Sequence, residues 1–155
     1  MAGISAGLLM YRLCQGAPEV FLVHPGGPYF KNKNEGYWTI PKGEPEKDEE
    51  YEAAAKREFF EETGIVPVEP LISLGAAKQK GGKWVHCWTF ECNDSNIRFV
   101  SSVNFELEWP PRSGKKAAFP EVDKGEFFII QEAKKKINPA QAVFLDRLLQ
   151  YLDKN

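Results

Sequence analysis

Three glutamates near the middle of the chain, Glu58, Glu61 and Glu62, fall at steps of three and four residues. On a helix that spacing sets all three carboxylates on one face. Like charges so placed repel, and the helix gains from them only when a cation stands in front. Oxygen ligands with no His or Cys among them suit a hard divalent ion, magnesium or, in its place, manganese. Arg57 lies one position off this face and four residues before Glu61, where its guanidinium can orient the Glu61 carboxylate. A solvated acidic helix face is the bland alternative, and it is the common fate of Glu-rich helices.

The residues on either side supply the helix. From Asp48 no Gly or Pro interrupts the chain until Gly64. This predicts a helix over 48–63 with Asp48 as N-cap and Gly64 as its stop. The wider spacing argues against a merely solvated face. Gly43, five residues, Glu49, seven residues, then Arg57-Glu58-Phe59-Phe60-Glu61-Glu62-Thr63-Gly64-Ile65 resembles, position for position, the signature of the Nudix hydrolases. Phe59 stands where that family usually has an aliphatic residue, which keeps the position apolar.

The resemblance implies an α+β fold, a mixed β-sheet sandwiched between helices. It also implies hydrolysis of a nucleoside diphosphate linked to another moiety, with a bound divalent metal. Glu58 and Glu62 are then the main metal ligands, helped by Glu61 and the Gly43 carbonyl, with Arg57 as their organiser. Either Glu61 or Glu121 serves as the base. Nucleotide-sanitising members carry a further glutamate just before a late strand, and Glu121 matches it by position; a plain loop carboxylate is the other reading. Glu106 and Glu108 also remain open as catalytic carboxylates.

Trp38-Thr39-Ile40-Pro41-Lys42-Gly43 is similar to the segment preceding the box in members that act on dinucleoside or diphosphoinositol polyphosphates. Members acting on nucleoside triphosphates more often have a second glycine at the Lys42 position. Lys42 is therefore a candidate phosphate contact, set against an exposed lysine beside a turn. Trp38 is a candidate for substrate stacking, set against core packing. Dinucleoside polyphosphate leads as substrate, followed by nucleoside triphosphate, then ADP-ribose or another nucleotide sugar, with RNA ends a further alternative. A Nudix-like module that senses a nucleotide without cleaving it is the reading from a different class.

Composition sets the outer bounds. With 155 residues, 43% apolar and 27% charged, the expectation is a single domain, 1–155, with a real core. A net charge of −2 gives no general attraction to nucleic acid, so affinity for a small nucleotide must come from local sites and bound metal. Cys14, Cys87 and Cys92 are odd in number and lack metal-ligand spacing, which reads as reduced thiols of a cytoplasmic protein. The N-terminal apolar run has no early positive charge and is cut by Arg12, so a buried strand is expected there, not a signal peptide. No stretch reaches the length of a membrane span.

Strands are predicted over 4–13, 19–24, 37–40, 71–77, 83–90 and 126–130. Further helices are predicted over 131–137 and 139–152, the last with Asn138 as cap and Pro139 in its first turn. Alternation over 83–90 places Trp84, His86, Trp88 and Phe90 on one face and Val85, Cys87 and Thr89 on the other, with His86 structural. The loop 25–36 is long and rich in Lys and Asn, which marks it as functional or mobile. Tyr29 or Phe30 could cover a nucleobase there or pack the loop down. Arg112, Lys115 and Lys116 make 110–116 a basic loop, either solvated or meeting phosphates.

Overall fold

The computed structural model describes residues 3–154. Its centre is β1 (Ile4–Cys14), which is buried without a break from Ser5 to Tyr11. A strand buried on both faces must be covered by other elements on each side. β1 pairs parallel with β5 (Trp84–Glu91), and antiparallel with β2 (Ala17–Pro25) and with the short β3 (Lys42–Gly43). The sheet order is β4-β5-β1-β2-β8, with β4 Ile72–Lys78 and β8 Val122–Ile129, and β3 pairs with β1 off that path. Together these six strands form a mixed sheet. A separate hairpin is formed by β6 (Asn104–Glu108) and β7 (Lys116–Pro120).

Helices cover both faces, as the α+β expectation requires. α1 (Tyr51–Thr63) buries Ala54, Ala55 and Phe59 against Leu8, Met10 and Phe21, and Phe59 meets Phe90 edge-on at 5.5 Å. On the opposite face α2 (Ile130–Lys136) and α3 (Val143–Lys154) close over Leu9, Leu22, Val85 and Cys87 with Ala133, Phe144, Leu145 and Leu148. The alternation in β5 is as expected: Trp88 and Phe90 belong to the α1 side, Val85 and Cys87 to the other. Cys14, Cys87 and Cys92 are all free thiols. Among the described residues no helix is long and apolar enough to cross a membrane.

Several local expectations change. Asp48 is not the N-cap: it adopts a left-handed φ of 63°, and the helix starts at Tyr51 after Glu50, whose side chain makes no cap. The cause lies one residue on. Glu49 accepts the Glu46 N–H at 2.9 Å and is drawn to Arg57, so the chain turns at 46–49 before it can enter the helix. Residues 37–40 form no continuous strand, because Trp38 bridges to Ile137 while Thr39 bridges to Val23. The predicted last helix is split into a 3-10 turn, Pro139–Gln141, and α3. Asn138 does cap the turn, accepting from the Ala140 N–H at 2.9 Å.

Gln141 in that turn is fully buried and works at a distance. Its Oε1 accepts the N–H of buried Ile40 at 2.9 Å, and its Nε2 donates to Gln79 at 3.3 Å. This fixes the backbone immediately before Pro41, Lys42 and Gly43. Replacing Gln141 with Leu leaves a buried N–H without an acceptor, which costs about 1–3 kcal/mol. Urea unfolding of Gln141→Leu should show that loss, and an unchanged midpoint would mean Ile40 finds another acceptor.

Candidate active site

The site forms where β3 meets α1. β3 is brought there by two ladder pairs with β1, Ala6 with Gly43 and Gly7 with Lys42. Gly43 faces α1, and a Cβ at that position would overlap the Glu58 carboxylate. The missing side chain is what lets Glu58 lie against the strand backbone. One turn further on, Glu62 is 9% exposed and sits beside Lys42, whose backbone N–H bonds to it.

Arg57 holds the other carboxylates. Its Nε and Nη2 donate to the two oxygens of Glu49, each at 2.9 Å, a bidentate fork. Its Nη1 donates to Glu61 at 3.0 Å and to Glu58 at 3.3 Å, and Nη2 also reaches the Glu44 carbonyl at 3.1 Å. The fork lowers the Glu49 pKa to about 2 and raises that of Arg57. One guanidinium therefore ties the turn before the helix to the acidic face within it.

The end of α1 is closed by a strap from later in the chain. Gly64 takes the left-handed conformation, φ 76°, and its N–H bonds to the Phe60 carbonyl, as its stop role predicts. The Thr63 carbonyl accepts from Val100 at 2.9 Å and the Glu61 carbonyl from Val103 at 3.0 Å, which satisfies acceptors a helix end leaves open. The Val103 carbonyl in turn accepts the Glu121 N–H at 2.9 Å. Through Val103 the backbones of Glu61 and Glu121 are one hydrogen-bonded residue apart. The Ser102 hydroxyl adds a pair of 3.0 Å bonds to the Val122 backbone.

Electrostatics follow from this crowding. Burial pushes the Glu62 pKa up to about 8; Lys42 opposes the shift, and Glu58 and Glu121 add to it. Glu58 is raised too, first by burial and then by Glu61 and Glu121, against the pull of Arg57. Burial lowers the Lys42 ammonium while Glu62 and Glu58 hold it up. Two desolvated carboxylates with a third acid nearby form a place where a divalent cation would be welcome. Among the described residues no three acidic, His or Cys side chains already converge as a metal cage. The fit rests instead on the bare backbone at Gly43, which leaves room for Glu58, and on an all-oxygen donor set.

The other candidates separate. Trp38 is 3% exposed, packed edge-on against His24 at 5.3 Å and Phe128 at 4.9 Å, with its indole N–H on Asn34. It lies in the core on the α3 side, so no ring face is left for substrate stacking. The Glu108 carboxylate accepts the N–H groups of Arg112 and Gly114, closing the hairpin turn. Glu106 is exposed on the same strand. Tyr29 packs against Trp109 at 5.4 Å, which lays the loop at 25–30 on the hairpin. His86 touches Tyr51 at 5.0 Å, a packing role.

Comparison with known proteins agrees with this geometry. The model of the NUDIX domain matches residues 3–148. The chain belongs to the NUDIX family. It is 41% identical to an RNA pyrophosphohydrolase of Roseobacter denitrificans over 63 residues, a match spanning 38% of each chain. Among solved structures, an Ap4A hydrolase from C. elegans in a binary complex superposes with a TM-score of 0.70 at 22% identity, covering 99% of this chain and all of that one. The NUDIX domain of Shewanella oneidensis NrtR, complexed with ADP ribose, superposes at 0.64 with 14% identity, over 98% of this chain and 89% of that one.

Sequence reading missed Val103, Ser102 and Gln141, which act through backbone contacts and carry no motif. The isolated buried-position glutamine before an apolar helix was the one available signal.

Glu62 makes the site's charge measurable. Its carboxyl is raised above the ordinary 4.5, so in metal-free protein its contribution is fully present below that value and is lost as pH rises through about 8. In excess chelator, Glu62→Gln should therefore gain stability relative to wild type between pH 5 and 8. Urea midpoints at both pH values test this; a difference that does not grow with pH would contradict the raised carboxyl.

Proposed function

We propose that this NUDIX protein is a magnesium-dependent pyrophosphohydrolase, with a dinucleoside polyphosphate as its favoured substrate and manganese able to substitute for magnesium. The observation that carries the reading is the packing of Glu58 at Gly43 and of Glu62 beside Lys42, both within electrostatic reach of Glu121. Glu58 and Glu62 would hold the cation, with the Gly43 carbonyl and Glu61 contributing. A divalent ion there supplies neutralisation of phosphate oxygens and acidification of water.

The protein's own groups divide the remaining work. Lys42 offers an ammonium at the same place, suited to a phosphate oxygen of the substrate. Arg57 keeps Glu61 and Glu58 oriented. Among the described residues the Glu121 side chain has no hydrogen bond or ion pair, whereas Glu61 is engaged by Arg57 at 3.0 Å. Glu121 is therefore the better placed to take a proton from water, with Glu61 the organised carboxylate behind it. The substrate preference draws on Lys42 and on the likeness to the Ap4A hydrolase. The reading from a different class is a nucleotide sensor that binds without cleaving.

Hydrolysis of a panel of Ap4A, nucleoside triphosphates, ADP-ribose and triphosphate-ended RNA, with products identified, tests both readings. Turnover should need a divalent cation and be largely lost in Glu58→Gln and in Glu62→Gln with the fold retained. Full activity in chelator, or in both variants, overturns the site, and binding without turnover on every substrate selects the sensor.

The base is decided by kcat against magnesium at saturating substrate. Glu121→Gln should lower kcat by about 10²–10⁴-fold with little change in the magnesium requirement. In Glu61→Gln the loss should be partly recovered at high magnesium. A normal kcat in Glu121→Gln would return attention to Glu61.

A further inference from the structure

A concavity lies on the other side of the sheet from the carboxylates. It has a volume of about 380 Å³ and is lined by Lys31, Lys33, Lys124 and Lys136, with Asn32, Asn34, Glu126, Trp38 and Phe128 completing it. That volume falls in the roughly 300–1,000 Å³ range of small-ligand pockets. Lys124, Glu126 and Phe128 alternate along β8, and Phe128 packs with Trp38 in the core of the α3 side. Phe127 on the opposite face of β8 belongs to the α1 side, and so does Val122, which the register shift at His24/Pro25 turns to that face. The pocket is therefore separate from Glu58, Glu62 and Lys42.

Positive charge predominates in it. Among the described residues none of the four lysines makes an ion pair, and Glu126 is the one acid in the lining. This concentration of positive charge occurs in a chain whose net charge is −2. Two lysines are positioned by their surroundings: Lys136 donates to Asn34 Oδ1 at 3.1 Å and lies over the Phe128 ring, and Lys33 lies over Tyr37 at 5.7 Å. Asn34 Oδ1 also accepts the Trp38 indole N–H at 2.9 Å. With its oxygen taken twice, the Asn34 amide is held in one orientation and its NH₂ remains to donate.

A buried histidine underpins the loop that carries these residues. His24 is 1% exposed, with Nδ1 2.8 Å from the Asp123 carboxylate and Nε2 2.6 Å from the Lys33 carbonyl. Both ring nitrogens are thus engaged, one by a side chain of β8 and the other by the backbone of the loop. The ring ties the lysine loop to the start of β8, between Lys33 and the neighbour of Lys124.

We propose that this pocket is a second anion site, built for a multiply charged phosphate chain. Ammonium groups act as point charges on phosphate, and the amides of Asn32 and Asn34 supply neutral donors beside them. The chain could be the far end of a substrate held at the carboxylates or a separate polyphosphate ligand. The binding itself does not rest on the hydrolase reading.

The test is an NMR titration with inorganic tripolyphosphate in excess chelator, where the metal-free carboxylates repel the anion. Saturable shifts should appear at the Trp38 indole N–H, the Asn34 side-chain amide and the backbone of 31–34 and 124–128, and should weaken with salt. A charge-assisted contact is worth about tenfold or more in affinity, so Lys33→Gln with Lys124→Gln should weaken binding by at least about that factor. Unchanged affinity in the folded double variant, no shifts at millimolar anion, or shifts centred on Lys42 and Glu62 would overturn the proposal. Kinetics then name the source. A raised KM at unchanged kcat in the double variant identifies the substrate's far end, while unchanged KM with loss of any tripolyphosphate effect on rate identifies a separate ligand; either upholds the site.

Discussion

The contact between the Glu58 carboxylate and the bare backbone of Gly43 is the constraint on which the site depends. It requires that β3 be held against β1, that α1 lie across the same strands, and that no side chain intervene. Each requirement is met by a different part of the chain. Gly7 allows the approach from beneath, since a Cβ there would meet the Pro41 carbonyl and Lys42. Gln141 holds Ile40 from the far side of the sheet, and Phe59 anchors the helix in the core. Two carboxylates are thereby kept in a place that burial makes unfavourable for their charge. A folded protein keeps such a cluster by over-determining its surroundings, and unfavourable charge of this kind gathers at functional sites.

Arg57 and the strap at 100–103 explain how the cluster keeps its shape. The guanidinium fork on Glu49 is part exposed, with Arg57 at 27% and Glu49 at 17%, so solvent screening limits what it adds to stability. Its effect is geometric: planar bidentate pairing fixes direction as well as distance. The strap satisfies the helix end and sets the distance between α1 and the start of β8. One residue, Val103, bonds to both Glu61 and Glu121 along the backbone. The two carboxylates that could act as base are thus positioned by a shared element.

The carboxylate cluster and the lysine pocket use the two faces of one sheet. β8 reaches both, because alternate residues of a strand point opposite ways and the register shift at His24/Pro25 turns its first residue, Val122, to the α1 side. Glu121 stands at its start beside the carboxylates, while Lys124 and Glu126 face the lysine pocket. His24 and Asp123 sit between, joining the long loop to the strand. The loop at 25–36 is thus neither a free lid nor simple packing; it is pinned at Lys33 and Asn34 and lines a pocket between them.

Short-range relations were legible in the sequence. The positions of Glu58, Glu61 and Glu62 on one face, Arg57 four residues before Glu61, and the stop at Gly64 all follow from helical periodicity and backbone sterics. Alternation also assigned the two faces of β5 correctly. The start of the helix was misjudged at Asp48 because the Arg57–Glu49 fork, a contact eight residues apart, overrode capping preference. Other decisions belong to the tertiary structure. Trp38 became core because Phe128 and His24, brought from distant strands, enclose it. Glu121 came to the carboxylates through the pairing of β8 with β2 and the strap at Val103, and the four lysines met only when the loop was tied to β8. Residues so far apart share no period that could mark them in advance, since their meeting depends on which strands pair and in what register.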